Sequence, residues 1–562
     1  MTSTPTKNVL LSAVGLWFVL VSLSGQAAAQ GRSPQSLQPD IFITAALQRD
    51  TPVARGNVLL LPSHSRHATS TRPNRNGTSA PIAPSITNAL NLGTALYSVG
   101  PNIGATTSEP EAEEEIAADP NNAGNLVSAI SDFSQASGFN FTKWTLSIDG
   151  GSTWNDNFVP FNSGTGLLAT SDGRSWSANS DPVLAFDKSG NVYLSDLYIT
   201  VDSLGRITSE GLYVSTDSFS NLQQIGGNFS HTYRVRANLN NKRSFSLEDK
   251  PWIAVDNSVS AGNVYASWSH FTGCKNQFSP LVGYYLTCSS DVLYLAYSTN
   301  HGQNWSTPIV INPNGQNNAV QGSQVAVGPD GKVYVAYEFF GSGDQRQQYL
   351  AVGTWNNGKL SFSTPFAVTP AFSDLNFAGC ANCLASYRVN SFPSLAVGPT
   401  GNVYIVYGGQ VDSTSTSQAY FVACTNNCTS SIAFSAPSVI NDDTAGNHFF
   451  PAIAVDQSGV VHTSWLDTRA DPSNPDLLDV YAALLTYDSN TKLFTVSPNA
   501  RVTPTSMDAS FGDILGDTSF IGDYIGIAAT ASPATAHPVW SNASGILGFL
   551  VSGSLQTATL TP

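Results

Sequence analysis

The feature that most narrows the folds open to this 562-residue chain is an internal repeat of roughly seventy residues. A short apolar strand, a turn containing Gly and a Val-Tyr-rich strand recur as VLAFDKSGNVYLSD from Val183, IAVDNSVSAGNVYASW from Ile253 and VAVGPDGKVYVAY from Val325. The pattern returns as LAVGPTGNVYIVY from Leu395 and IAVDQSGVVHTSW from Ile453. A weaker copy, IAADPNNAGNLVSAI, starts at Ile116, and the last, IGIAATASPATAHPVWSN from Ile525, has a longer turn. The residues that follow the first strand are Asp119, Asp187, Asp256, Gly328, Gly398, Asp456 and Thr530, spaced by 68, 69, 72, 70, 58 and 74 positions. Alternating apolar and polar residues on both sides of a Gly turn predict an antiparallel hairpin in every copy.

A second strand pair follows most of these hairpins. Its turn is best preserved in Ser147–Trp154, read Ser-Ile-Asp-Gly-Gly-Ser-Thr-Trp, and again in Ser298–Trp305, read Ser-Thr-Asn-His-Gly-Gln-Asn-Trp. An Asp or Asn side chain caps the tight turn, Gly supplies positive φ, and Trp packs beneath the hairpin. Four strands per unit, repeated about seven times without linkers, predict an all-β fold: a single β-propeller of seven four-stranded blades, with six as the alternative. Tandem sandwich domains would need about 100 residues each and linkers between them. Composition agrees, because only 11% of residues are charged. Helical solenoids need Glu, Lys and Arg on their outer faces, whereas Asn, Ser, Thr and Gly suit strands joined by polar turns. The net charge of −15 excludes a nucleic-acid partner, since phosphate neutralisation needs clustered Lys and Arg.

Residues 1–30 carry Lys7, an apolar run from Val9 to Leu23 and Ala27-Ala28-Ala29, which reads as a secretory signal peptide. The run is short of the roughly 20 residues a spanning helix needs, so no membrane span is expected after cleavage. A secreted, extracellular or periplasmic, monomer is therefore expected. Residues 31–110 form an N-terminal arm and flexible linker with six Arg, and residues 111–562 form the propeller. The six cysteines suit an oxidising compartment, with Cys274 and Cys288, Cys380 and Cys383, and Cys424 and Cys428 as local pairs.

Ser147–Trp154 matches the Asp-box, or BNR repeat, at every position, and Ser298–Trp305 matches it with Asn300 and Asn304 replacing Asp and Thr. On these turns the chain resembles the sialidase superfamily of β-propellers. That resemblance implies carbohydrate or glycoconjugate as the partner, and a glycoside hydrolase whose site lies on the face away from the Asp-boxes. Sialidases hold the substrate carboxylate with three Arg and attack with a Tyr paired to Glu. The Arg-Ile-Pro motif that usually supplies the first Arg is missing, and Glu109–Glu115, an acidic run, stands ahead of the first Asp-box.

The loops that enter the innermost strands should open at one central mouth. They offer Glu113 and Glu114, Asp181, Glu248, Asp249 and Lys250, Gln324, Arg388 and Asn390, Asn447 and His448, and Asp523 and Tyr524. In a catalytic reading Tyr524 or a carboxylate attacks the anomeric carbon, with Glu248 in the same acidic group. Asp181 or Asp249 is the acid/base, and Arg388 anchors an acidic group. His448 and Asp523 line the substrate side, and Trp176 offers a sugar platform. In a second reading the propeller is not catalytic and binds glycan, protein or Ca²⁺ through the same oxygens. In a third, these side chains only cap strand ends. No cofactor is required by the first reading. The loop Asp467–Asp479 is a further acidic segment at the mouth, where Arg469 would be a second anion anchor.

Overall fold

Each copy of the repeat folds into the two inner strands of one blade of a seven-bladed β-propeller in the computed structural model. The structure describes strand 61–62 and residues 97–562 other than 107–110, 133–140, 163–166, 203–205, 239–244, 259–261, 280–282, 376–388, 413–414, 489–492, 510–520, 531–532, 543–544, 548–549 and 553. The signal segment, most of the arm, Arg388 and the Cys380–Cys383 pair lie outside the described residues. Among those residues no helix is long and apolar enough to cross a membrane.

Blades 1 to 6 start at their inner strands Glu111–Ala118, Ala178–Phe186, Phe245–Val255, Val320–Val327, Ser394–Val397 and His448–Val455. Each continues outward through antiparallel neighbours in chain order. Blade 7 is assembled differently. Its inner pair is Gly526–Ala529 and Ala536–Ser541, its third position is filled by Leu555–Thr557 and Leu560–Thr561, and its outermost by Ser98–Val99 and Ile103–Gly104. Strands from 98–104 and from 526–561 thus close the ring together, so Ser98–Val99 and Ile103–Gly104, ahead of residue 111, belong to the propeller sheet. Tyr97 reinforces the closure, its hydroxyl lying 2.7 Å from His462 Nδ1 in blade 6.

A four-stranded sheet with two apolar faces gains stability only when both are covered, and here every pair of neighbouring blades encloses its own core. Trp144 and Val127 of blade 1 meet Phe186 and Tyr213 of blade 2. Leu295 of blade 3 meets Val335 of blade 4, and Tyr404 of blade 5 meets Trp465 of blade 6. Ile116 and Ile130 of blade 1 meet Val539 and Leu555 of blade 7, which completes the circuit.

The Asp-box turns explain themselves in hydrogen bonds. Ser147 Oγ accepts from the Gly151 N–H at 2.9 Å and donates to Asp149 Oδ1 at 2.8 Å, while Asp149 accepts from the Thr153 N–H at 2.8 Å and hydroxyl at 2.7 Å. The Ser298 turn repeats the scheme with Asn300, and Trp154 and Trp305 pack against the preceding blade. In blade 5 a disulfide, Cys424–Cys428, stands at the same turn, and Cys274–Cys288 ties a long hairpin of blade 3.

Chain ends normally fray, but Leu560, two residues from the C-terminus, is fully buried and pairs with Val99 and Ala536. Leu560→Ala should therefore cost about 2–5 kcal/mol, read from urea unfolding. A cost below about 1 kcal/mol, the size of an ordinary surface change, would mean that this closure does not hold the ring.

Candidate functional site

Pairing of the inner strand to its neighbour slips by a bulge at one recurring place. The slip falls between Ala112 and Glu115, Ser180 and Val183, Asp249 and Trp252, Gln321 and Gln324, and Phe449 and Ala452. The first residue inside each bulge has positive φ: Glu113 63°, Asp181 57°, Lys250 50°, Gly322 63° and Phe450 48°. Counting back from Ser394↔Val406 and Gly526↔Val539 places Phe392 and Tyr524 at the same level in blades 5 and 7. Seven residues, one per blade, thereby form an axial ring. Non-glycine residues rarely accept positive φ, so four of them in one ring, Glu113, Asp181, Lys250 and Phe450, is backbone strain gathered at a single site.

The ring has two halves. On one side the Lys250 ammonium lies 2.8 Å from Glu113 and 3.4 Å from Asp181, and it also contacts Asp523, the residue before Tyr524. All four are buried. Asn390 donates to the Asp523 carbonyl at 2.9 Å. On the other side Phe392, Phe450 and Tyr524 line a cavity of about 30 Å³ together with Lys250 and Gly322. Trp252 meets Tyr524 edge-on at 5.7 Å. Gly322 is obligatory there, since a Cβ would sit 2.3 Å from the Phe392 ring.

The charges separate the protonation states. Burial, then the Asp181 charge, lifts Glu113 well above the usual carboxyl range, although Lys250 opposes the shift. Burial pushes Asp181 the same way but is outweighed, mainly by Lys250 and by a hydrogen bond from Glu113, so Asp181 is held low. The pair is thus a carboxylic acid donating to a carboxylate. Burial and the carboxylates of Glu113, Asp181, Glu115 and Asp523 raise Tyr524 well above its ordinary value, so it stands as a neutral phenol. The ammonium fills the point at which the carboxylates converge, the place a bound cation would take. Among the described residues no group of three His, Cys, Asp or Glu side chains is arranged to hold a metal ion.

Several sequence candidates sit elsewhere. Glu248 is buried between blades 2 and 3, accepting from Arg236 and His270 at 2.8 Å, from Asn238 at 3.1 Å and from the Trp268 indole. His448 points into the seam between blades 5 and 6, with Nδ1 2.8 Å from Asp467. Arg469 is bound to Asp467 and Asp442 and lies 4.1 Å over the Tyr481 ring, which leaves it no role as an anion anchor. Trp176 is 1% exposed, wedged edge-on against Tyr198 and Tyr213, so it presents no face to a sugar. Asp249 stands opposite Ser269 and adds negative charge beside Lys250. Phe392, Phe450 and Gly322 were not among the candidates. The signal for Phe392 and Phe450 is the Xaa-Pro step that opens an apolar strand, shared with Asp181-Pro182 and Lys250-Pro251; Gly322, followed by Ser323, lacks it.

The β-propeller expected from the repeats and Asp-box turns is the fold the chain adopts, with seven blades. No family model and no curated protein matches the chain. Among solved structures, a protein of unknown function from Dyadobacter fermentans aligns at 12% identity over 83% of this chain and 99% of its own, with a TM-score of 0.41. The intramolecular trans-sialidase of Ruminococcus gnavus aligns at 12% identity over 82% and 96%, with a TM-score of 0.38. An α-L-arabinanase of Penicillium chrysogenum aligns at 11% identity over 83% and 98%, with a TM-score of 0.41.

The inner strand of blade 1 makes stability depend on pH. Burial raises Glu111 to about 7, and Glu114 and Glu115 to about 8. Between their ordinary value of 4.5 and these values the folded chain keeps protons that the unfolded chain releases. Their contribution is full below the ordinary value and is lost as pH climbs through the raised ones. The Tm should fall from about pH 5 to about pH 8, and Glu114→Gln with Glu115→Gln should flatten that slope. A Tm profile that is unchanged in the double variant would contradict the assignment.

Proposed function

We propose that this chain is an exported, carbohydrate-acting propeller whose axial ring hydrolyses a glycosidic bond. The observation that supports it most is the buried cluster in which Glu113, Asp181 and Asp523 converge on Lys250, where burial pushes Glu113 up while the Lys250 charge holds Asp181 down. Glycoside hydrolysis needs one carboxyl group that arrives protonated and another that stays ionised. Glu113 would give its proton to the leaving glycosidic oxygen. Asp181, kept charged by Lys250, would stabilise the developing positive charge or activate the incoming water. Phe392, Phe450 and Tyr524 would hold the apolar face of the sugar, with Tyr524 as a hydrogen-bonding phenol rather than the attacking group. The excess of carboxylates over the single ammonium favours a neutral glycoside over a sialoside. Two disulfides support an oxidising compartment.

One observation favours a non-catalytic binding propeller instead. The axial cavity of about 30 Å³ admits a water or two, and ligand sites usually run to several hundred Å³. Hydrolysis therefore requires the mouth to widen around its substrate.

Purified mature protein should turn over at least one member of a neutral fluorogenic glycoside panel. Glu113→Gln and Asp181→Asn should each lower kcat by about a hundredfold or more while circular dichroism stays unchanged. Because Glu113 is raised and Asp181 lowered, the wild-type rate should hold into neutral pH and fall on the alkaline side as Glu113 ionises. Absence of turnover across the panel, or a Glu113→Gln protein at wild-type rate, would leave the binding function.

A further inference from the structure

Away from the axis, on the face that carries the Asp-box turns, the outer half of blade 2 and the second Asp-box turn of blade 3 enclose an open cleft of about 420 Å³. The space arises because blade 2 lacks an Asp-box. Its third strand, Ile207–Ser218, runs into the short helix Phe219–Leu222 and a loop before His231–Asn238, where blade 1 makes its Asp-box turn. His231 and Tyr233, two residues apart on the outermost strand, lay their rings nearly parallel, 5.7 Å apart at 26°. They form one aromatic wall. Asp217 and Asn221 rise beside it, and Tyr193 and His301 lie at the opposite side, the Tyr193 hydroxyl 3.2 Å from His301 Nδ1.

His301 is a second, independent sign. It takes the place that Gly150 holds in the first turn, yet adopts φ 57°. Its ring covers Gly262, where a Cβ would come within 2.6 Å of it. The turn thus places an imidazole, where glycine would carry no side chain, at the edge of the cleft. None of the residues lining the cleft is Lys or Arg.

We infer that this cleft is a second carbohydrate site, one that holds a neutral glycan chain at a distance from the axial ring. The aromatic wall would stack on the apolar face of a sugar ring. Asp217, Asn221 and His301 would meet its hydroxyls, with the buried Tyr193, whose hydroxyl donates to Asp187 at 3.0 Å, as the floor beneath His301, and the lack of Lys and Arg selects against polyuronates and sialosides. The volume falls in the range of ordinary ligand pockets, unlike the axial cavity. The inference rests on the carbohydrate-acting reading, but it is separable from catalysis.

Affinity electrophoresis of the full chain tests it, with arabinan, xylan, mixed-linkage β-glucan or polygalacturonate cast into native gels. At least one neutral polysaccharide should retard the wild type, and polygalacturonate should not. Tyr233→Ala should weaken retardation about tenfold, and Tyr233→Phe should restore it. His301→Gly relieves the backbone strain, so it should keep the fold and still lose binding. Glu113→Gln should abolish turnover but leave retardation intact, which separates failure at the axis from failure here. No retardation by any neutral polymer, retardation by polygalacturonate alone, or retardation that survives both Tyr233→Ala and His301→Gly would overturn the inference.

Discussion

Ring closure is the constraint on which every other feature of this protein depends. A single blade buries neither of its faces, so the stability of each sheet is borrowed from two neighbours. The circuit holds only because the seventh sheet is sewn together from both ends of the folded chain, with Ile103 beside Thr557 and Ser98 beside Thr561. Leu560, Trp540 and Tyr97 belong to the same core as Phe449 and Leu484 of blade 6. The last residues of the chain therefore carry the load that short loops carry in a helical bundle.

Closure brings seven inner strands to one axis, where their backbones face a problem of crowding. The repeated bulge is the answer, since it lifts one residue per blade out of the pleat and turns the strand away from its neighbours. What occupies that position differs from blade to blade. Blades 1 to 3 place Glu113, Asp181 and Lys250 there, whereas blades 5 to 7 place Phe392, Phe450 and Tyr524. The single ammonium holds carboxylates that would otherwise repel one another, and burial decides which of them keeps its proton. An amphipathic opening of this kind suits a sugar, whose ring has apolar faces and a polar rim.

Much of this was legible in the residues. Period and Asp-box turns followed from local rules: Gly150 and Gly151 for positive φ, Asp149 for the cap, and Trp154 for the packing beneath; the choice of seven blades over six came from the structure. Asp181, Lys250 and Asp523 were also found, because they precede recognisable inner strands. Glu248 and His448 were misplaced for a common reason. A residue at a strand end faces either the axis or the seam between blades, and one bulge reverses which of the two it is. Trp176, expected as a sugar platform, was misplaced for another reason: it belongs to a small added sheet folded onto the core of blade 2.

By itself, then, the sequence determined that the chain would be strand-rich, built from a blade-sized repeat and capped by Asp-box hairpins, since turn chemistry and alternation act over a few residues. Only the tertiary structure decided that Glu113, Asp181, Lys250 and Asp523 share one cluster, and that His301 and Tyr233 face one cleft. Those meetings join positions as far apart as residues 113 and 523. They depend on strand register, bulges and the closing of the ring, none of which is encoded within any one repeat.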